Sequence, residues 1–151
     1  MTTWIASLAY VGYTVGAISC ALAALWIGSR GDARRTDRTP AVVALALTAN
    51  WCFAAASFGP TRPIVELSEV ARNLAWLFML YRLFANDGRD ETLRLVRPTA
   101  IALVLVEILQ IALLLIARQN VPGTDLVAIF DTASLFRILV CVGALVLLHN
   151  L

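Results

Sequence analysis

Residues 99–117 read TAIALVLVEILQIALLLIA, an unbroken apolar run interrupted only by Glu107 and Gln110. A helix rising about 1.5 Å per residue needs roughly 17–25 such residues to cross the hydrocarbon of a bilayer. Four further stretches have the same character, so that five apolar runs, at 4–28, 41–58, 64–85, 99–117 and 126–148, fill almost the whole chain. In lipid a backbone satisfies its hydrogen bonds only as a helix or a closed barrel. These runs are too long for barrel strands, so the expected fold is all-α: a polytopic membrane bundle of about five helices forming a single domain over residues 1–151.

Composition supports this and excludes much else. The chain is 60% hydrophobic and 15% charged, with a mean hydropathy of +0.81, too apolar for a soluble domain and too sparsely charged for a nucleic-acid binder. All twelve basic residues are arginine. Arg30, Arg34, Arg35 and Arg38 fill the first loop, and Arg82, Arg89, Arg94 and Arg97 surround the third, while the other two loops hold little beyond Arg62 and Arg118. By the positive-inside rule the first and third loops are cytoplasmic, which puts the N-terminus outside and the C-terminus inside. A bacterial inner membrane is the expected location. Met1 to Tyr10 carries no basic segment, so the first run is read as a retained helix rather than a cleaved signal.

The loops also carry turn chemistry. Gly31 and Pro40 bracket the first, with Pro40 suited to the first turn of the second helix. Gly59-Pro60-Thr61-Arg62-Pro63 is a tight turn that no continuous helix can pass. The fourth span is expected to begin after Pro98. Gly12 and Gly16, followed by Cys20 and Ala24, make a small-residue stripe on the first span that lets a neighbouring helix approach.

Candidate chemistry is mostly excluded. His149 is the only histidine, so a histidine-paired metal or haem site within one chain is not expected. Cys20, Cys52 and Cys141 match no zinc or redox spacing and are read as reduced, packed thiols. No nucleotide loop or serine-hydrolase elbow occurs. The chain by itself is read as non-enzymatic, without cofactor or metal. What remains is a set of polar groups at membrane depth, each costing about 2.5–3.5 kcal/mol on insertion scales. Glu66, Glu69, Arg72 and Asn73 enter the third span from its outer side, with Glu69 and Arg72 three apart on one helix face; this is the candidate sensor site. Asn50, Glu107, Gln110, Asp131 and Arg137 form the expected buried polar network. Counting inward from the helix ends brings Glu107 and Arg137 to about the same depth, so an ion pair between the fourth and fifth spans is expected.

The stretch Glu66-Leu67-Ser68-Glu69-Val70-Ala71-Arg72-Asn73-Leu74-Ala75-Trp76-Leu77-Phe78-Met79-Leu80 resembles the "E-x-x-R-x-x-A-W-x-x-F-L" helix in the amino-terminal membrane region of PrsK-type sensor histidine kinases, which accompany the exosortase and PEP-CTERM sorting system. An arginine-rich inner loop and an alanine-rich second span containing Trp51 fit the same pattern. The family's "E-Q/N-L-Y-R-N" segment is similar to the end of this chain, where His149 stands in place of the acidic residue. The resemblance implies a sensor or anchor region cut from a longer chain, whose kinase core, homodimerisation and cognate response regulator belong to the parent protein, with membrane lipids as immediate partners and no nucleic acid. A rival expectation from a different class is a small transporter or scaffold subunit using its buried Glu and Arg groups.

Overall fold

The computed structural model describes residues 2–29, 38–86, 90–117 and 123–149. Among them all regular structure is helical, in the order α1 (Thr2–Ser29), α2 (Arg38–Phe58), α3 (Pro63–Asn86), α4 (Asp90–Ala117) and α5 (Gly123–His149). The topology-bearing residues Arg30, Arg34, Arg35, Arg89 and Arg118, the loop glycine Gly31, and Asn150 and Leu151 lie outside the described residues; Arg94 is described in its backbone alone.

Four segments are long and apolar enough to cross a membrane: Trp4–Ser29, Arg38–Phe58, Arg97–Ala117 and Val127–His149. Helix α3 differs because Glu66, Glu69, Arg72 and Arg82 are spaced so that every eighteen-residue stretch of it contains at least three charges. The described residues therefore form five helices, of which four meet the requirement for a span on their own composition.

The helix ends follow from local chemistry. Gly59 takes φ +83°, a left-handed conformation that L side chains resist, and its amide donates to the Ala55 carbonyl at 3.0 Å, closing α2. Pro63 then opens α3, where a missing N–H costs nothing, and the Arg62 carbonyl accepts from Val65 and Glu66 at 2.9 and 3.1 Å. Pro40 lies in the first turn of α2. At the end of α1 the Arg38 guanidinium donates to the Gly28 carbonyl. The fourth span begins at Arg97, next to the expected start after Pro98, while the helix itself continues back to Asp90 and carries Pro98 inside it. A proline there removes the bond to the carbonyl four residues back and crowds that carbonyl with its ring, and the helix continues through it in spite of that cost.

Packing is inverted relative to a soluble protein. The buried hydrophobics include Ala24, Ala44, Cys52, Ala54, Ala55, Ala100 and Ala133, whereas Trp4, Leu8, Leu22, Phe53, Ile101, Leu135 and Leu145 are exposed. Water would not tolerate so much apolar surface; lipid tails do, and small residues at the seams are what let membrane helices touch.

The chain divides into two compact units, residues 1–79 and 80–151. In the first, α1 packs on α2. Its half-buried and buried positions, Tyr13, Gly16, Ala17, Cys20, Ala24 and Ile27, recur every three or four residues along one face. A Cβ on Gly16 would lie 3.2 Å from Cys52 Sγ, while one on Gly12 would meet nothing within 4 Å. The small-residue face is thus corrected at one end: Gly16 is in the α1–α2 seam and Gly12 faces outward, since 100° per residue carries a strict four-residue stripe slowly round the helix. Ala54, Ala55 and Val65, with Tyr13 and Trp51 packed against them, form the core where all three helices meet.

In the second unit α4 packs on α5. The two must run antiparallel, because the six peptide links from Ala117 to Gly123 reach at most about 22 Å, whereas α4 is about 42 Å long. The seam has coiled-coil spacing: Ala100, Leu103, Glu107 and Gln110 on α4, and Ala133, Val140 and Leu147 on α5, are all buried. A Cβ on Gly143 would stand 2.5 Å from Leu103 Cδ2, so this glycine is where the helices come closest to that leucine.

Candidate functional site

The third helix brings the candidate sensor residues to one place on α2. The Arg72 guanidinium lies 4.0 Å from the centroid of the Trp51 ring. Its Nη2 is 3.9 Å from Glu69 Oε1, one turn back on the same helix, and its Nε and Nη2 donate to Asn73 Oδ1 at 3.2 and 2.9 Å. Tyr13 of α1 also meets the indole edge-on, with centroids 5.5 Å apart and planes at 84°. One turn along, Trp76 Nε1 donates to Thr48 Oγ1 at 3.0 Å, and that hydroxyl in turn donates to the Ala44 carbonyl at 2.8 Å.

The result is a cluster drawn from three helices, with the tyrosine and the arginine both on Trp51 and the carboxylate beside the arginine. The neighbours of Arg72 offset its electrostatic cost: the indole face attracts the cation, the carboxylate neutralises it, and Asn73 accepts from N–H groups that would otherwise be unsatisfied in a poorly hydrated site. Arg72 and Glu69 remain 19% and 16% exposed, so the pair is shielded without being sealed. Glu66 is half-buried in the first turn of α3, where the positive end of the helix favours a carboxylate.

Trp51 and Tyr13 were not among the residues singled out from sequence as a site. Their signal was a matter of depth. Trp51 lies seven residues before the α2 terminus and Arg72 nine after the α3 start, which places them at similar levels across the four residues 59–62, but nothing in either helix alone tells which face they share. An open cleft of about 450 Å³ lies nearby, lined by Ser57, Phe58, Arg62, Pro63 and Ile64; none of the four candidate sensor residues borders it.

The expected buried network separates into two classes. Glu107 and Gln110 are 0% and 1% exposed, Arg137 is half-buried, and Asn50 and Asp131 are exposed. The last two are corrections. Asn50 falls on the stripe Val43, Ala46, Asn50, Phe53, Ser57, which is exposed throughout, and Asp131 likewise turns away from the Ala133–Val140–Leu147 seam. Depth along a helix was legible, and azimuth was not.

For Glu107 the seam supplies both. With Leu103 opposite Gly143, Glu107 lies about 6 Å along α4 and Arg137 about 9 Å back along α5, within one turn of the same level. Each of the two is engaged in a polar or electrostatic interaction. Gln110 Oε1 is buried with no hydrogen-bond partner among the described residues. Cys20, Cys52 and Cys141 are all free thiols, and the described residues contain no cluster of metal-ligating side chains. No protein-family model, characterised protein or solved structure matches this chain.

Proposed function

We propose that this chain is the membrane-embedded sensor or anchor region of a two-component histidine kinase of the type associated with PEP-CTERM and exosortase regulation. In this reading it crosses a bacterial inner membrane five times, with the N-terminus outside and the C-terminus in the cytoplasm. The observation that supports it is that Arg72 and Trp76 of the kinase-like motif contact α2, at Trp51 and Thr48, while Glu69 of the same motif pairs with Arg72 on their own helix. A motif that specifies an interhelical clamp is suited to holding one of two helix packings of similar energy, which is how a membrane sensor shifts population on binding its input. The same contacts reduce the charge penalty of α3 and so make it acceptable as the fifth span. Homodimerisation and the response regulator belong to the parent kinase, and the chain itself carries out no catalysis.

The full burial of Glu107 between α4 and α5 favours this reading over a transporter, whose pathway carboxyl would need a water-filled route to both faces of the membrane. Two experiments test the proposal. The genomic reading frame beyond Leu151 is expected to continue into a GAF-like domain and a kinase core; an immediate stop codon overturns the kinase assignment. For the topology, single cysteines at positions 34, 62, 94 and 123 in a background lacking the native three are challenged with an impermeant thiol reagent in spheroplasts. Labelling is expected at 62 and 123, and labelling at 34 or 94 instead reverses the orientation.

A further inference from the structure

The α4–α5 seam holds a carboxyl and a carboxamide whose chemistry an ion pair alone does not exhaust. Glu107 and Gln110 are three residues apart on the buried face of α4, a spacing that brings side chains within about 5–6 Å at Cβ. The amide oxygen of Gln110 is enclosed and accepts from no group among the described residues. Such an orphan acceptor costs about 1–3 kcal/mol, and leucine at this position would avoid the cost altogether. An acceptor calls for a donor. With the amide oxygen turned inward, an ionised carboxylate has none to offer, whereas a carboxylic acid has one O–H, so a single proton on Glu107 supplies the donor that this orientation of Gln110 lacks.

We infer that the seam is a proton-binding site. A proton taken from water adds to the Glu107 carboxylate, and the new O–H donates to Gln110 Oε1. The opposed helix presents Arg137 at this level, and the formal charge of the Glu107–Arg137 pair goes from zero to +1 on binding. Arg137 is half-buried and long enough to carry its charge toward the polar margin when the carboxylate is neutralised. Of the other ionisable groups whose side chains are described on these helices, Asp131 is exposed about 9 Å further back along α5, Cys141 is exposed one turn beyond Arg137 on the other side, His149 is exposed about 18 Å beyond it, and Arg97 is exposed about 15 Å back along α4. The inference does not depend on the kinase reading; it applies equally to a scaffold.

The test is infrared spectroscopy of the full chain in lipid nanodiscs between about pH 4 and about pH 9, spanning ordinary carboxyl and thiol titration. A protonated carboxyl shows a C=O stretch well separated from the carboxylate bands and sensitive to deuterium exchange. The expected result is a carboxylic band that grows on acidification and is absent from Glu107→Gln. In Gln110→Leu the band moves to the higher frequency of an unbonded acid, and in Arg137→Met, which lacks the facing charge, it is present throughout the range. Gln110→Leu removes no charge and keeps the seam filled, so its frequency shift reads the site even where Glu107→Gln fails to assemble. The inference is overturned if no Glu107-dependent carboxylic band occurs at any pH, or if the band has the same frequency with and without Gln110.

Discussion

The two units handle an ionisable group held away from water in opposite ways. Arg72 in the first unit is satisfied mainly by neighbours on its own helix, Glu69 and Asn73, and lies on the face of a ring while staying partly exposed. Glu107 in the second is shut into a helix–helix seam with no exposure. The first arrangement is tolerant, because most of the compensation survives if the helices slide apart. The second is not, because the seam itself provides it. Loss of one group should therefore cost little in α3 and much in α4, and measurements that reverse this order would show that the division between the units is wrong.

The largest effect is expected at the α4–α5 seam. Removing one member of a buried charge pair typically costs about 3–5 kcal/mol, since an uncompensated charge remains, whereas removing both costs far less. Glu107→Gln, Arg137→Met and the double variant, compared by reversible unfolding in detergent at a pH where Glu107 is ionised, should show the double variant more stable than the sum of the singles predicts. Additive losses would mean that Glu107 and Arg137 do not meet. Repeating the cycle in acid sharpens the result, because a protonated Glu107 already resembles glutamine and the single Glu107→Gln cost should shrink.

The next expected effect probes the same seam without charge. Gly143→Ala places a methyl 2.5 Å from Leu103 Cδ2 and 2.9 Å from Cδ1. Since both methyls crowd it, the leucine must change rotamer or the helices must separate, at a cost of about 1–3 kcal/mol for overpacking. Leu103→Ala in the Gly143→Ala background should recover part of the loss. No recovery would indicate that the clash is not with Leu103.

How far the sequence could have led to these sites differs between the two units for a physical reason. Apolar length and the Gly59–Pro63 turn revealed five helices, and the i,i+3 spacing of Glu69 and Arg72 revealed their pair, because both signals are local. Pro98 marks the start of the apolar span but not of the helix, which continues through it to Asp90. The placement of Asn50 and Asp131 was not legible at all. A membrane helix surrounded by lipid is apolar on its exposed face and small or apolar on its packed one, so the sided polarity that orients a surface helix in water is missing. For the same reason Trp51 could be located in depth but not recognised as the ring beneath Arg72.

In the first unit the effects should be smaller. A cation on an indole face is worth about 0.5–2 kcal/mol depending on desolvation, so Trp51→Leu and Arg72→Gln should each destabilise by about that amount and couple to one another in a double-mutant cycle. If Arg72 belongs to a sensor, Arg72→Gln should also change phosphorylation of the cognate regulator per folded molecule in the full-length kinase. Arg137→Met, by contrast, should lower the amount of folded protein and leave the output per molecule unchanged. Loss of folded protein without altered output for Arg72→Gln would make the cluster purely structural.

The smallest effect separates two glycines four residues apart. In a bilayer the unassembled reference state is already helical, so the usual helix-propensity gain of alanine over glycine largely cancels, and only packing is left to decide the sign. Gly16→Ala brings a methyl to 3.2 Å from Cys52 Sγ, a distance at which the thiol must give way by a few tenths of an ångström. A loss of about 0.5 kcal/mol is expected, at the edge of what surface substitutions produce, and it should be relieved by Cys52→Ala. Gly12→Ala enters open space and should be neutral. If Gly12→Ala instead weakens assembly while Gly16→Ala does not, the outward face of α1 is covered by another helix in the membrane, and the α1–α2 seam is the more tolerant of the two surfaces.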